Sequence, residues 1–399
     1  MTTTTQQNPP LLRLLKYGRT YRVRMIWAVI CSIMNKIFDL APPVLIGTAV
    51  DIVVNQEQSI LATYGFPEVR TQLFILAGAT LVIWSLESMF EYFLKILWRN
   101  LAQSIQHDLR LDAYGHIQNL DMAYFEDQST GGLMSVLNDD INQLERFLDI
   151  GANDLIQFLT TVITVGGMFV YLTPSVAWMA ILPMPFVFLG SWWFQKRIAP
   201  RYIAMREQVS VLNGYLSNNI SGIATIKSYT AEGYESERIK DESNVYREKN
   251  ESAIALSAAF VPVIRMIIAV GFSAIMIGAG LLATEGALNV GAYSVLVFMS
   301  QRLLWPLTRL GETLDQYQRA MASTNRVIDL LQIPPQITDG PQKLPTQQVK
   351  GEVVFDHVAF NYGNGQRVLH DLSFQAAAGE TIAFVGATGS GKSTVVKLL

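Results

Sequence analysis

The hydrophobic positions of this sequence are concentrated in six long stretches, separated by segments rich in polar and charged residues. A helix needs about 20 mainly apolar residues to cross a bilayer. The stretches that approach this length are residues 25–54, 73–98, 155–172, 176–194, 254–282 and 290–310. We therefore predict six transmembrane helices. The alternative, a set of buried core helices, is less favoured because one soluble chain of this length rarely carries six of them.

Helical periodicity continues beyond the spans in two of the connecting segments. Apolar residues recur every three or four positions in residues 101–120 and again in 133–148, with the polar stretch DMAYFEDQSTGG between them. The connection from 195 to 252 is similar, with a break near 221–233. We predict membrane helices that extend far out of the bilayer and meet at short turns. The turns are either docking elements for another domain or the ends of solvated surface helices.

Composition and charge strengthen the membrane interpretation. Charged residues make up 16% of the chain, well below the roughly 25% of soluble domains. The net charge of −3 offers no basic surface for nucleic acid, so we expect membrane lipids as partners and no nucleic acid. Cys31 is the single cysteine, which excludes a disulfide within the chain.

Lys and Arg are distributed unevenly between the connections. They are frequent before the first span and in residues 195–252, whereas the short TPS connection at 173–175 carries none. Cytoplasmic connections carry the excess of Lys and Arg. We therefore expect a multi-pass protein of the plasma (inner) membrane with both termini in the cytoplasm.

The composition changes near residue 325. The segment LLQIPPQITDGPQKLPTQQVKG is rich in proline and predicts a linker. Three short β patterns follow it, EVVFDHVAF, VLHDLSF and ETIAFVG. The third is nearly continuous in apolar residues, which is typical of a strand buried on both faces.

The third pattern leads directly into a glycine-rich motif, Gly386-x-x-x-x-Gly391-Lys392-Ser393. Its glycines allow a tight turn that points backbone N–H groups at phosphate oxygens, while the lysine reaches the terminal phosphates. The Ser393 hydroxyl would hold Mg²⁺, and Thr394 could add a phosphate contact. A strand before the motif and a helix after it are the context that this chemistry requires. The predicted loop residues are Gly386, Thr388, Gly389, Ser390, Gly391, Lys392, Ser393 and Thr394.

Tyr362 lies in the sequence FNYGNG, just before the second β pattern. Its ring could stack on an adenine, or it could be an ordinary turn tyrosine.

Several charged residues interrupt the predicted spans. A charge in the middle of a bilayer costs about 2.5–3.5 kcal/mol on insertion scales, so each needs a partner. These residues either line a water-accessible cavity for substrate, or form structural salt bridges and mark helix ends. The candidates for a substrate pathway are Lys36, Asp39, Glu87, Glu91, Arg265 and Arg302.

These features together resemble an ATP-binding cassette (ABC) exporter, a half-transporter of the multidrug or lipid exporter type. The stretches YFEDQSTGGLMSVLNDDINQLERFL and NNISGIATIKSYTAEGYE are similar to its two intracellular loops, and VVFDHVAFNYGNGQRVLHDLSFQAAAGETIAFVGATGSGKSTVVKLL resembles the start of its nucleotide-binding domain. Tyr362 then matches the adenine-stacking aromatic of the family. The stretch LLRLLKYGRTYR resembles the elbow helix that lies on the membrane surface.

The resemblance implies an α-helical membrane protein with six transmembrane helices and long intracellular extensions, followed by an incomplete α/β P-loop nucleotide-binding domain. It implies ATP and Mg²⁺ as cofactors and pairing as a homodimer, or as a heterodimer with another ABC half-transporter. The implied divisions are an N-terminal tail and elbow helix (1–24), a six-span domain (25–324) with coupling helices near 122–128 and 224–232, a linker (325–350) and the first part of the nucleotide-binding domain (351–399).

The sequence departs from the family pattern in one large respect. It contains the Walker A motif but no signature motif, Walker B strand or switch histidine, and therefore no catalytic residue for ATP hydrolysis. We expect a truncated, split or incompletely recorded exporter that binds nucleotide weakly or not at all by itself and does not hydrolyse it. The alternative is a non-catalytic membrane subunit or regulator that docks with a complete ABC transporter chain.

Overall fold

The computed structural model describes residues 9–335, 337, 340–341, 349–362 and 367–399. The chain forms two compact units. The first comprises Met1–Gln106 and Asn142–Thr324, and the second comprises His107–Ile141 and Asn325–Leu399.

The N-terminal part contains two helices where the hydrophobic pattern predicts one span. Helix α1 covers Pro10–Tyr17, and after a short 3₁₀ turn the chain continues as α2, Arg22–Asp39, and α3, Ala41–Asn55. The predicted span at 25–54 is therefore broken at Leu40. Pro42 and Pro43 stand at the start of α3 and have no N–H to donate to the carbonyls one turn earlier, so two successive hydrogen bonds of the helical ladder are missing at this point.

The second predicted span is part of a much longer helix. After the short helix α4, Ile60–Thr63, helix α5 runs from Val69 to Gln118 without interruption. Its 50 residues correspond to about 75 Å at 1.5 Å per residue. The predicted extension beyond the membrane span is thus present as one continuous helix. It ends just before α6, Met122–Asp127, which lies where the first coupling helix was predicted.

The chain returns through a helical segment that is not uniformly α-helical. Helices α7, Thr130–Ser135, α8, Ile141–Arg146, and α9, Ala152–Leu172, are joined by two five-residue π-helical stretches, Val136–Asp140 and Phe147–Gly151. The third predicted span forms most of α9.

The fourth predicted span, residues 176–194, is divided at Leu182 between two helices, and the fifth lies within one long helix. Helix α10 covers Pro174–Ile181, and α11 starts at Pro183 and continues to Ser221. A short helix α12, Ile223–Ser228, overlaps the position predicted for the second coupling helix, and α13 follows from Glu232 to Thr284. Helices α11 and α13 pack along each other, and the side chain of Lys249 donates a hydrogen bond of 2.9 Å to Gln208 Oε1.

The sixth predicted span, residues 290–310, is interrupted. Helix α14, Val290–Leu304, ends in the 3₁₀ turn Trp305–Thr308, and α15 continues from Leu310 to Leu331. By length and composition, five helical segments of the described chain could each cross a membrane, and this interrupted segment is not among them. Because α15 extends to Leu331, the predicted linker begins several residues later than residue 325. Its residues 336, 338, 339 and 342–348 lie outside the described residues.

Side chains from several spans form the apolar core of the first unit. Val165 and Phe169 of α9, Ile275 of α13 and Leu296 of α14 are almost fully buried in one cluster. Helices α3 and α14 approach each other closely at Gly47, where an added Cβ would lie 2.6 Å from the carbonyl oxygen of Gly291.

The C-terminal segment contains a hairpin and a short helix. Strands β1, Val353–Asn361, and β2, Arg367–Ala376, pair antiparallel, and α16 covers Lys392–Lys397. The prediction of a third strand in ETIAFVG is wrong, since residues 381–387 have no regular structure. A central strand needs hydrogen-bonded neighbours on both sides, and within the described residues the sheet has only β1 and β2.

Candidate functional site

The glycine-rich loop has the backbone that its sequence predicts. Gly389 and Gly391 adopt left-handed conformations, with φ of +88° and +86°, which residues with a side chain rarely tolerate. Space is also tight, because a Cβ on Gly386 would lie 2.8 Å from Ser390 Oγ, and one on Gly391 would lie 3.0 Å from Leu369 Cδ2. The loop thus needs glycine at these positions for conformation, for close approach, or for both.

Lys392, the first residue of α16, turns its side chain back onto the loop. Its Nζ donates hydrogen bonds to the carbonyl oxygens of Gly386 at 2.8 Å and Ala387 at 2.7 Å, and lies 3.3 Å from Ser390 Oγ. The ammonium group therefore sits against the loop backbone, where the motif requires a cation near phosphate oxygens.

The short helix after the loop is anchored on the hairpin. Val395 is buried in an apolar cluster with Phe355 of β1 and Leu369 of β2. The Thr394 side chain is also buried, and its Oγ1 lies 2.9 Å from the hydroxyl of Tyr362. These contacts fix where the helix starts relative to the two strands.

The remaining predicted nucleotide contacts lie at the surface or near it. Thr388, Ser390 and Ser393 are exposed. The ring of Tyr362 packs edge-on against Phe360, with ring centroids 5.1 Å apart, and Lys397 Nζ lies 5.9 Å from its centre. The structure therefore brings the glycine loop, its lysine and Tyr362 together on one small hairpin–helix element.

Charged residues of the first and last spans form a second cluster. Lys36 Nζ lies 2.8 Å from Asp39 Oδ2, as their spacing of three residues predicts. Arg302 of α14 contacts the other oxygen of the same carboxylate at 3.2 Å, although it is 263 residues away in sequence. One carboxylate thus holds two cationic side chains and connects α2 to α14.

The other predicted pathway residues are not part of this cluster of ion pairs. Glu91 pairs with Lys95 at 2.6 Å on the exposed face of α5. The carbonyl of Glu87 accepts a hydrogen bond of 3.1 Å from the Asn35 side chain. The guanidinium of Arg265 lies over the ring of Trp305, 5.4 Å from its centre.

A polar network between the first three spans was not predicted from the sequence. Trp98 Nε1 donates to Ser32 Oγ at 2.9 Å, and Ser32 Oγ donates in turn to Asn153 Oδ1 at 2.8 Å. One helical turn away, Gln157 Nε2 donates to Asn35 Oδ1 at 3.1 Å. The signal was present in the sequence, since Ser32, Asn35, Lys36 and Asp39 share one face of α2 by their spacing.

A second unpredicted network surrounds Asp51 in α3, whose side chain is fully buried. Its carboxylate accepts hydrogen bonds from Asn55 Nδ2 at 2.7 Å, from the backbone N–H of Ile60 at 2.7 Å and from Asn289 Nδ2 at 2.9 Å. This residue ties the end of the first span to the beginning of the last.

Comparison with models of known protein families shows which family the chain belongs to. The family model of the ABC transporter transmembrane region matches residues 25–307. The chain belongs to the ABC transporter family. A second model, ABC transporter, matches residues 369–399 and includes the glycine-rich loop. The protein is therefore an integral membrane protein of this family, with part of a nucleotide-binding domain at its C-terminal end.

Curated relatives support the same assignment. The chain is 28% identical over 389 residues to the uncharacterized ABC transporter ATP-binding protein YknU of Bacillus subtilis, covering 97% of this chain and 64% of that protein. It is 29% identical over 291 residues to a fatty acid ABC transporter ATP-binding/permease protein of Mycobacterium tuberculosis (73% of this chain, 46% of that protein). It is 27% identical over 300 residues to an ATP-dependent lipid A-core flippase of Legionella pneumophila (75% of this chain, 50% of that protein). The chain thus spans less than two thirds of the length of these relatives.

The two candidate sites of this ABC transporter chain fall in different matched regions. The Lys36–Asp39–Arg302 cluster and both polar networks lie within the transmembrane match, and the Gly386–Lys392 loop lies within the other. The match to the ABC transporter model implies nucleotide binding.

Proposed function

We propose that this chain contributes the translocation pathway and the first part of the motor to ATP-driven export of a lipid-like, drug-like or peptide substrate. The observation that carries the proposal is a glycine-rich loop with left-handed Gly389 and Gly391, in a chain whose residues 25–307 match the ABC transmembrane region. The names of two relatives, a fatty acid transporter and a lipid A-core flippase, favour an amphiphilic lipid among these classes.

In this proposal the loop residues hold the phosphates of ATP. The backbone N–H groups around Gly389 and Gly391 face the phosphate oxygens, and Ser393 holds Mg²⁺. Lys392 must exchange its bonds to the Gly386 and Ala387 carbonyls for phosphate oxygens. Hydrolysis of bound ATP supplies the free energy for transport, with the groups for that step coming from residues that this sequence does not contain.

The remaining family features are proposed on the same basis. Tyr362 would stack on the adenine, and the short helices α6 and α12 would serve as coupling helices. The chain would act as a homodimer, or as a heterodimer with another half-transporter. It would lie in the plasma (inner) membrane with both termini in the cytoplasm, where connections rich in Lys and Arg remain.

A second candidate function is a non-catalytic subunit that docks with a complete ABC transporter chain. These 399 residues contain no signature motif and no Walker B strand, and in this candidate function both would belong to the partner chain. Purification of the tagged chain from its native membrane separates the two. A co-purifying chain that carries both motifs supports the second candidate or a split transporter.

Export itself is tested in inside-out membrane vesicles that also contain a signature motif and a Walker B strand, which these 399 residues lack, supplied by the natural full-length gene product or by a partner chain. We expect ATP-dependent uptake of a labelled lysolipid that is lost when Lys392→Ala removes the loop cation. The control is Lys350→Ala, which removes an exposed lysine shortly before β1. Equal uptake with Lys392→Ala and with the unchanged chain would contradict a motor role for this loop.

A further inference from the structure

Two adjoining cavities in the first unit share the side chains of Lys36, Trp305 and Pro306. The smaller, of about 240 Å³, extends between α2, α9 and α15 and reaches Arg309. The larger, of about 440 Å³, extends between α2, α3 and α14 and reaches Arg302. We refer to the two together as the Lys36 chamber.

Basic side chains outnumber acidic ones on the walls of the Lys36 chamber. Lys36, Arg302 and Arg309 line it, whereas Asp154 is the acidic residue among its described lining residues. Asp39 and Glu87 are close enough to Lys36 and Arg302 to interact with them electrostatically, but neither is among those lining residues.

The three cationic side chains differ in how they are compensated. Lys36 and Arg302 share the carboxylate of Asp39, at 2.8 and 3.2 Å. Arg309 makes no ion pair with any residue that the structure describes, and Asp154 is the carboxylate that interacts with it electrostatically. Arg309 is exposed, so its guanidinium is accessible to an anionic ligand, which would supply the close charged partner that the side chain lacks.

The rest of the Lys36 chamber is divided by polarity. The smaller cavity also presents the neutral polar side chains of Gln157, Thr161 and Thr313. The larger cavity presents apolar surface from Ile46, Phe298 and two prolines. The two halves therefore suit the two ends of an amphiphile.

We propose that the Lys36 chamber binds an amphiphile with an anionic head group, a carboxylate or a phosphate, through Lys36 and Arg309, with its chain along Ile46 and Phe298. This inference rests on the proposed function, because the bound amphiphile would be the transported substrate. Asp154 would oppose such a ligand and thereby keep its affinity moderate, which allows release.

Native mass spectrometry of the purified 399-residue chain in a non-ionic detergent tests this inference. The probes are lysophosphatidic acid and oleate as the two anionic head groups, and lysophosphatidylcholine as the zwitterionic comparison. We expect at least one anionic probe to bind more tightly than lysophosphatidylcholine, and the tighter of the two identifies the head group. Arg309→Gln should lower the affinity for that probe by about tenfold, which is the loss expected for one charge-assisted hydrogen bond. Arg309→Lys should retain most of the affinity.

Two further variants separate a binding role from loss of structure. Asp154→Asn should raise the affinity for the anionic probe severalfold, because it removes a negative charge that repels the head group. Damage to the fold would instead lower this affinity. Lys95→Gln removes a cation from the exposed face of α5 and should leave affinity unchanged. Equal binding of all three probes, or an Arg309→Gln variant that is stable and binds as the unchanged chain does, would overturn the inference.

The measurement contains no ATP, so its failure is distinguishable from failure of the proposed export. If the chain selects anionic head groups but uptake does not depend on Lys392, the binding site in the Lys36 chamber is supported and the proposed role of the loop in ATP-driven export is refuted. If uptake depends on Lys392 but the chain binds all three probes equally, the role of the loop in export is supported and the binding site in the Lys36 chamber is refuted.

Discussion

The side-chain amide of Asn289 donates a hydrogen bond of 2.9 Å to the carboxylate of Asp51, across 238 residues of sequence. Asp51 also accepts from Asn55 and from the backbone of Ile60, so one buried carboxylate satisfies three donors. The start of α14, the end of α3 and the loop between α3 and α5 are thereby held at one point.

Replacing this carboxylate should destabilise the first unit. Asp51→Ala removes the charged acceptor of three hydrogen bonds, and since Ile60 and Asn289 are exposed and Asn55 is half-buried, their donors can turn to water. We expect a loss of about 1–3 kcal/mol in unfolding free energy. Unfolding in SDS–detergent mixed micelles measures this loss. Glu57→Gln, an exposed acidic residue of the same loop, should change stability by less than about 0.5 kcal/mol. Similar effects of the two variants would show that Asp51 does not hold these elements together.

The close contact of α3 with α14 should not tolerate even one methyl group. In Gly47→Ala the new Cβ would lie 2.3 Å from Val295 Cγ2 and 2.6 Å from the Gly291 carbonyl oxygen. Such overpacking costs about 1–3 kcal/mol. The control is Gly78→Ala in α5, where nothing lies within 4 Å of the added Cβ and stability should hold or rise. The same unfolding experiment compares the two variants. Equal unfolding free energies would show that α3 and α14 are not packed closely at Gly47.

Asp140 and Arg326 of the second unit should respond unequally to removal of their partner. Arg326 donates from Nε to Asp140 Oδ2 at 2.7 Å and from a terminal nitrogen to Oδ1, and this hydrogen bonding raises the pKa of the guanidinium above its ordinary value. The Asp140 side chain is 8% exposed and that of Arg326 is 56% exposed. Arg326→Met therefore removes two hydrogen bonds from a buried carboxylate and should cost about 2 kcal/mol, whereas Asp140→Asn weakens them for a largely solvated cation and should cost about 1 kcal/mol or less.

The order of these two effects is the critical result. Limited proteolysis of the purified chain, read as the rate of cleavage within residues 107–141, ranks the variants. If the Asp140→Asn variant is cleaved faster within residues 107–141 than the Arg326→Met variant is, then burial of the Asp140 carboxylate does not determine how much this ion pair stabilises the segment.

ATP turnover by the purified 399-residue polypeptide should not exceed that of a blank preparation. The sequence contains no carboxylate in a Walker B position to polarise the attacking water, and residues 381–390 are exposed and irregular. Phosphate release with and without Mg²⁺ measures the rate. Lys392→Ala should leave this background unchanged, and a rate that falls in this variant would indicate a working site and refute the prediction.

The membrane helices could be predicted well because their signal is local and long. The pattern in residues 101–120 continued the second span, and α5 is indeed one helix from Val69 to Gln118. The break at Leu40 was missed because hydropathy does not register Pro42 and Pro43, although their missing N–H groups dictate it. The interruption at Trp305–Thr308 lies at Pro306, which the sequence does mark as a residue unable to donate a hydrogen bond to the helical ladder.

The site could be predicted only in part, because spacing along one helix does not reveal partners on another. The pairing of Lys36 with Asp39 followed from their separation by one turn, but the contact of Asp39 with Arg302 depends on how α2 packs against α14. The glycine loop was identified by its motif alone. The strand expected before it was wrong because a strand depends on neighbours that a local pattern does not contain.

The length of α13 has a mechanical consequence. Its 53 residues correspond to about 80 Å, but Pro262 lies inside the helix and removes a hydrogen bond of the helical ladder there. The part of α13 before Pro262 measures about 45 Å, and a tilt of about 5° around Pro262 would displace its first residue, Glu232, by roughly 4 Å. Movements near α12 would therefore travel along a rigid segment as far as Pro262, where the helix can bend.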